Sequence, residues 1–251
     1  MRHKLAVLAA QLPSKMLCNM RLAVMQPYIF PYFGYFQLIG AVDTFILLDD
    51  VHYINRGWIN RNRLLMNGHI IPFTIPLRKA SQNKLINDIE ICYETRWQRK
   101  FLKTLEQSYR KAPYFSAVFP LVQQVITANE THISRLVYQS LLVLLKYLEI
   151  DIKLIASSAS YATEQLRAQD KILAICRQEH ATHYINPAGG AQLYERRVFE
   201  ANHVHISFLK PTLPPYSHFS PSYVPGLSIL DVLMHNSPEM VKAMLKEYQL
   251  E

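Results

Sequence analysis

Cysteine is scarce. The 251 residues contain three, Cys18, Cys92 and Cys176, with no CxxC pair and no Cys/His ligand spacing. An odd count in a chain of this size argues against a disulfide framework and points to a reducing, cytoplasmic setting. Long apolar runs are missing too. The longest candidate, LVYQSLLVLLKYLEI, is interrupted by Gln139 and Lys146 and falls short of a membrane span. There is no run of five or more basic residues, no internal repeat, no low-complexity stretch and no clear domain linker. GxGxxG and Walker A loops are absent, and the ten histidines show no metal-ligand spacing. No motif therefore names a cofactor or a metal, and the oligomeric state has no sequence signature.

What is present describes a folded protein. Half of the residues are hydrophobic and 18% are charged, an ordinary balance for a chain that buries a core. Fifteen tyrosines and fourteen prolines stand out. Tyrosine joins an apolar body to a polar tip, so it suits ligand clefts as well as cores. The net charge is +8. The basic residues are scattered, which favours a phosphorylated or nucleotide-linked small molecule over nucleic acid as partner. The first residues have a basic start and an apolar centre, LAVLAA, below the ~7–15 residues of a signal-peptide core. Residues 1–19 are expected to be a loosely ordered extension, with Met20 opening a single domain over 20–251.

Patterning predicts alternation of strand and helix. RLAVM and TFILLDD read as strands around a short helix, FQLIGA. Asn67-Gly68 separates RNRLLM from HIIPFTIPL, a hairpin signal because both turn residues tolerate positive φ. Residues 86–93 alternate apolar and polar, as a half-buried strand does. Three helical stripes follow, forming a helical insertion over 95–149. IDIKLIAS, THYINP and HVHISFL then read as strands separated by helices over 163–180 and 190–201, and two short helices close the chain. The expected fold is a three-layer α/β structure of Rossmann-like type with a mainly parallel sheet.

Chemistry concentrates where strands end. The loop MQPYIFPYFGYFQLIG offers Gln26, Tyr28 and Gly34, the last allowing close backbone approach to a ligand. Its placement resembles the nucleotidylyltransferase loop, but the two histidines of those enzymes are missing from 26–40. Asp49 and Asp50 end the second strand. Two carboxylates there suit a general base, an amine or hydroxyl ligand, or Mg²⁺. Neighbours in a strand face opposite ways, so one of the pair faces a cleft unless the strand has ended. An extended chain puts Asp50 and His52 on one face, with Asp50 orienting the imidazole. The alternative is a strand-ending turn salt-bridged to Arg56 or Arg61. Next, RGWINRNR supplies Arg56, Trp58, Asn60, Arg61 and Arg63. Guanidinium forks bind phosphate or carboxylate bidentately. If extended, Trp58, Asn60 and Asn62 share one face and Arg61 and Arg63 the other. Asn186, Gly189 and Gly190 in YINPAGGAQLY form a strand-to-helix turn able to present backbone N–H groups. Ser228, Asp231 and His235 share a helical face, where Ser228 as cap and Asp231 closing a capping box read better than a hydrolytic triad. His203 and His205 share a strand face without an evident acidic partner.

The stretches MQPYIFPYFGYFQLI, DTFILLDDVHYINRGWINRNRLL, TIPL, YINPAGGAQLY and PGLSILDVLMHNSPE resemble the WbqC-like family of bacterial proteins, over residues 21–245. The resemblance implies a role in surface-polysaccharide, especially O-antigen, biosynthesis, with modification of an amino sugar. It supplies motifs without catalytic assignments. The resulting expectation is a transferase moving an acyl or aminoacyl group to a nucleotide-linked amino sugar. Asp49, Asp50 and His52 would act on the acceptor amine, and the arginines would hold diphosphate or carboxylate. The alternatives are Mg²⁺-dependent nucleotidyl transfer and a non-catalytic nucleotide-sugar or phosphate-binding protein.

Overall fold

The computed structural model describes residues 19–94, 96–217 and 224–251. The expected extension lies outside them apart from Asn19. β1 (Arg21–Met25), α1 (Phe33–Gly40) and β2 (Thr44–Leu47) open the fold. A long excursion follows: the hairpin strands β3 (Arg61–Met66) and β4 (His69–Thr74), the two-residue strands β5 (Leu77–Arg78) and β6 (Glu90–Ile91), and the helices α2 (Trp97–Tyr109), α3 (Phe115–Thr127) and α4 (Ile133–Tyr147). The chain rejoins the main sheet at β7 (Lys153–Ile155) and continues through α5 (Ala168–Gln178), β8 (His183–Pro187), α6 (Arg196–Ala201) and β9 (His205–Pro211). It ends with α7 (Ile229–His235), α8 (Pro238–Met244) and β10 (Tyr248–Leu250).

The main sheet has six strands in the order β10-β9-β8-β1-β2-β7, all parallel except β10 against β9. Counted along the chain, that is the doubly wound order 3-2-1-4-5-6, with its direction reversing beside β1. Strand side chains alternate between two apolar clusters. Ala23, Phe45, Leu47, Ile185 and Leu209 face α1 and the helices of the excursion and C-terminus. Leu22, Val24, Ile46, Tyr184 and Ile206 face α5 and α6. The result is the expected three-layer α/β arrangement.

At the reversal the sheet splits. β1 pairs with β8 only at Arg21–His183 and Leu22–Tyr184, although β1 runs on to Met25 beside β2 and β8 runs on to Pro187 beside β9. The carboxyl ends of β1 and β8 therefore diverge. Ligands of doubly wound sheets bind outside such a divergence.

Several local expectations change. The hairpin forms as the Asn67-Gly68 signal predicts, with φ of 51° and 75° at its turn. Residues 86–93 are a strand only at β6. A 3₁₀ turn over Ile86–Asp88 brings both Ile86 and Ile89 inward, while Ile89 and Ile91 keep the two-residue spacing of a strand. The helix expected from 163 starts at Ala168. The segment after β8 is a 3₁₀ helix over Ala188–Leu193, and α6 follows it. The excursion between β2 and β7 is wider than the expected helical insertion, because it includes the β3–β4 hairpin and the β5–β6 pair.

Candidate functional site

β2 and β7 are neighbours, with Ile46 opposite Ile155, so the loops leaving their carboxyl ends meet. One loop carries Asp49 and Asp50, the other Ser157 and Ser158. Because β2 ends at Leu47, the two carboxylates are free of strand alternation and both reach the serine pair. Ser157 Oγ donates to Asp49 Oδ1 at 2.6 Å. Ser158 Oγ donates to Asp50 Oδ1 and accepts the Asp49 backbone N–H at 3.2 Å. From α5, Lys171 Nζ reaches Asp50 Oδ2 at 2.5 Å and the Thr163 carbonyl at 3.5 Å.

The cluster is buried: Asp49 is 2% exposed, Asp50 8% and Lys171 5%. Buried charge is costly unless paired. Lys171 compensates Asp50 directly, whereas Asp49 has only hydrogen bonds. Burial pushes the Asp49 carboxyl up to about 6, helped by the charge of Asp50 and opposed by the Ser157 hydroxyl and by backbone N–H groups. A carboxylate in that range holds a proton weakly at neutral pH, which suits a general base.

This corrects the expected partners. Asp50 contacts Ser158 and Lys171 rather than orienting His52, and its ion pair is with Lys171 rather than Arg56 or Arg61. His52 is exposed and bridges Leu85 through the backbone. Lys171, Ser157 and Ser158 were not visible as site residues in the sequence. Lys171 does leave one trace: it stands four residues before Ile175, on the buried stripe of α5.

The donor-rich segment divides into two kinds of side chain. Asn60 donates to the Ile75 carbonyl at 2.7 Å and accepts from Tyr53. Asn62 donates to the carbonyls of Ile29 and Phe30. Both amides thus fix loops rather than face solvent. Trp58 lies in a bend before β3 and joins the arginine side, not the asparagine side as extended spacing predicts. The guanidinium carbons of Arg63 and Arg61 lie 4.9 and 5.9 Å from its ring centroid. Arg61 Nε donates to the Gly57 carbonyl. Arg56 is exposed, in a left-handed turn with φ of 62°. Among the described residues none of the three arginines has a carboxylate within ion-pair distance. Tyr28, Pro31, Tyr32, Trp58, Asn62, Arg63 and Gly226 line a cleft of about 160 Å³. Burial raises the Tyr28 and Tyr32 phenols, which stay protonated donors.

The remaining expected residues sit at the sheet split or in its support. Gln26 directly follows β1, and its carbonyl accepts the Tyr35 hydroxyl at 2.9 Å. Gly34 is required by packing: a Cβ there would stand 2.8 Å from Pro211 Cβ and from the Tyr32 ring. Asn186 is the penultimate residue of β8, held by the Tyr184 hydroxyl at 3.1 Å, while that hydroxyl also reaches the Val24 carbonyl across the split at 3.5 Å. A Cβ on Gly190 would fall 2.2 Å from Asn186 Nδ2, so the second glycine makes room for the asparagine; Gly189 has open space around it.

Two other readings are revised. Ser228 does cap α7, accepting from Leu230 N–H, but Asp231 does not close a capping box. The Ser228 N–H goes to the Arg63 carbonyl, and Asp231 instead accepts the hydroxyls of Tyr109 and Tyr216 at 2.8 and 2.6 Å. His203 lies in a left-handed turn before β9, and His205 meets His183 through Ser207.

Among the described residues no group of three or more His, Cys, Asp and Glu is placed to hold a metal ion, and no helix is long and apolar enough to cross a membrane. No solved structure matches the chain. The uncharacterized protein Rv1507c of Mycobacterium tuberculosis is 27% identical over 222 residues, which cover 87% of this chain and 95% of that protein. The sequence model of the WbqC-like protein family matches residues 26–243, a span holding Asp49, Asp50, Lys171, the arginine–tryptophan stack, Gln26 and Asn186, and the chain belongs to that family.

Proposed function

We propose that the protein is a transferase of surface-polysaccharide biosynthesis that moves an acyl or aminoacyl group onto the amine of a nucleotide-linked amino sugar, in the cytoplasm. The observation that carries this reading is Asp49, a buried carboxyl held near 6 at the end of β2. In the proposed step the neutral amine nitrogen attacks the carbonyl carbon of an activated acyl donor. A C–N bond forms and the bond to the donor's leaving group breaks. Asp49 takes the proton released by nitrogen and passes it to the leaving group. Ser157 and Ser158 position the two carboxylates. Lys171 is ion-paired with Asp50, which leaves Asp49 as the member of the pair without a cation beside it. The nucleotide end of the acceptor is assigned to the divergence of β1 and β8, beside Gln26, Asn186 and the Gly189-Gly190 turn. Arg61 and Arg63 are assigned to phosphate or carboxylate.

The test is N-acylation of candidate nucleotide-linked amino sugars by purified protein. Activity should rise along a limb near pH 6 as Asp49 ionises, and Asp49→Asn should lose at least a hundredfold in kcat/KM. Full activity in Asp49→Asn would refute the assignment. A non-catalytic phosphate-binding protein is the second reading, favoured by the arginines that have no ion pair among the described residues. Steeply salt-dependent binding without turnover would select it.

A further inference from the structure

The arginine–tryptophan cleft has a neighbour. A second cleft, of about 170 Å³, shares Tyr32 and Gly226 with it as lining. Both are mainly apolar, but the linings differ in charge. The second, walled by Phe33, Leu213, Leu227 and Val232, has no charged side chain in its lining. The first ends at Arg63, whose guanidinium lies on the Trp58 ring and has no carboxylate partner among the described residues. Stacking occupies the face of a guanidinium and leaves its N–H edges for a phosphate oxygen pair. Gly226, in a left-handed conformation with φ of 70°, brings bare backbone beside that group, since a Cβ there would be 3.9 Å from Arg63 Nη1.

We infer that the paired clefts bind a single amphiphilic phosphate ester. Its phosphate lies on Arg63 with support from Arg61, and its hydrocarbon chain crosses Tyr32 to lie between Leu213, Leu227 and Val232. A simple inorganic anion would leave the apolar cleft unused. The ligand's role rests on the transferase reading, in which such a molecule is the acyl donor and its phosphate marks the carrier end. The binding itself stands independently of that role.

The experiment is calorimetric titration of the full chain with butyl, hexyl and octyl phosphate below their micellar concentrations, and with inorganic diphosphate and uridine diphosphate. Affinity should rise roughly fourfold per methylene, about two orders of magnitude from butyl to octyl. Leu213→Glu should abolish that rise while sparing butyl phosphate, and Arg63→Gln should weaken every member at least tenfold. Leu213→Asn is the second variant if Leu213→Glu fails to fold, as judged by its melting transition. Affinity independent of chain length, or uridine diphosphate binding more tightly than octyl phosphate in both wild type and Leu213→Glu, would overturn the inference. Failure here with transfer lost in Asp49→Asn leaves the transferase reading standing. The expected chain-length series with transfer intact in Asp49→Asn sinks that reading and leaves the inference.

Discussion

Asp49 is held in a place that favours its neutral form. An acid whose folded pKa is raised adds stability below its unfolded value near 4 and loses that contribution as pH rises through about 6. Asp49→Asn should therefore stabilise the protein at pH 8 by about 2 kcal/mol, a gain that shrinks below pH 6. Paired with lost activity, that result marks a residue kept for function at the expense of stability. Denaturant unfolding at pH 5 and pH 8 measures it, and equal effects at both would contradict the account. Lys171 predicts the opposite behaviour. Lys171→Ala leaves Asp50 buried without its cation and should cost about 3–5 kcal/mol, and adding Asp50→Asn should recover much of the loss. The acidic pair was legible in the sequence because two carboxylates beside an apolar strand have no place in a core. Lys171 was not, since its contact with Asp50 spans 121 residues and one lysine in a charged helix reads as solvated.

At the scale of elements, the strand-ending turns set the site. The turn after β8 depends on Gly190 giving way to Asn186. Gly190→Ala should displace the Asn186 amide from Tyr184 and lower the melting temperature by several degrees, and Asn186→Ala in the same chain should relieve the clash. A melting temperature for the double variant no higher than for Gly190→Ala would show that Asn186 is not the obstacle. The sequence identified this turn and the Asn67-Gly68 hairpin because each depends on local backbone chemistry. It misread 86–93, where a 3₁₀ turn and a strand bury similar residues. It misplaced Trp58 as well, because extended spacing was applied to a bend. Asn60, expected as a ligand donor, has its amide bonded to the Ile75 carbonyl and the Tyr53 hydroxyl for a related cause: whether a buried amide meets a ligand or a carbonyl depends on which loop packs over it.

For the whole molecule, the alternation of strand and helix was enough to give an α/β fold with a mainly parallel sheet. The order that splits the sheet beside β1 was not legible, because it depends on the chain returning to β7 after an excursion of about a hundred residues between β2 and β7. That return is also what brings Ser157, Ser158 and Lys171 to the carboxylates. At the opposite, amino-terminal edge, burial together with His205 and Arg21 lowers His183 to about 4. A depressed histidine stabilises the fold above its unfolded pKa near 6.5 and loses that contribution as pH falls toward 4. His183→Gln should therefore flatten the decline of stability between pH 6.5 and 4, read from chemical denaturation, and an unchanged slope would count against it.

The most direct test of the central claim is the composition of the surface polysaccharide in cells whose only copy of this protein carries Asp49→Asn, determined by mass spectrometry. The account predicts that the variant accumulates to at least wild-type level while the amino sugar loses its N-acyl or N-aminoacyl group and retains a free amine. A glycan indistinguishable from wild type, made in the presence of the folded variant, would contradict it.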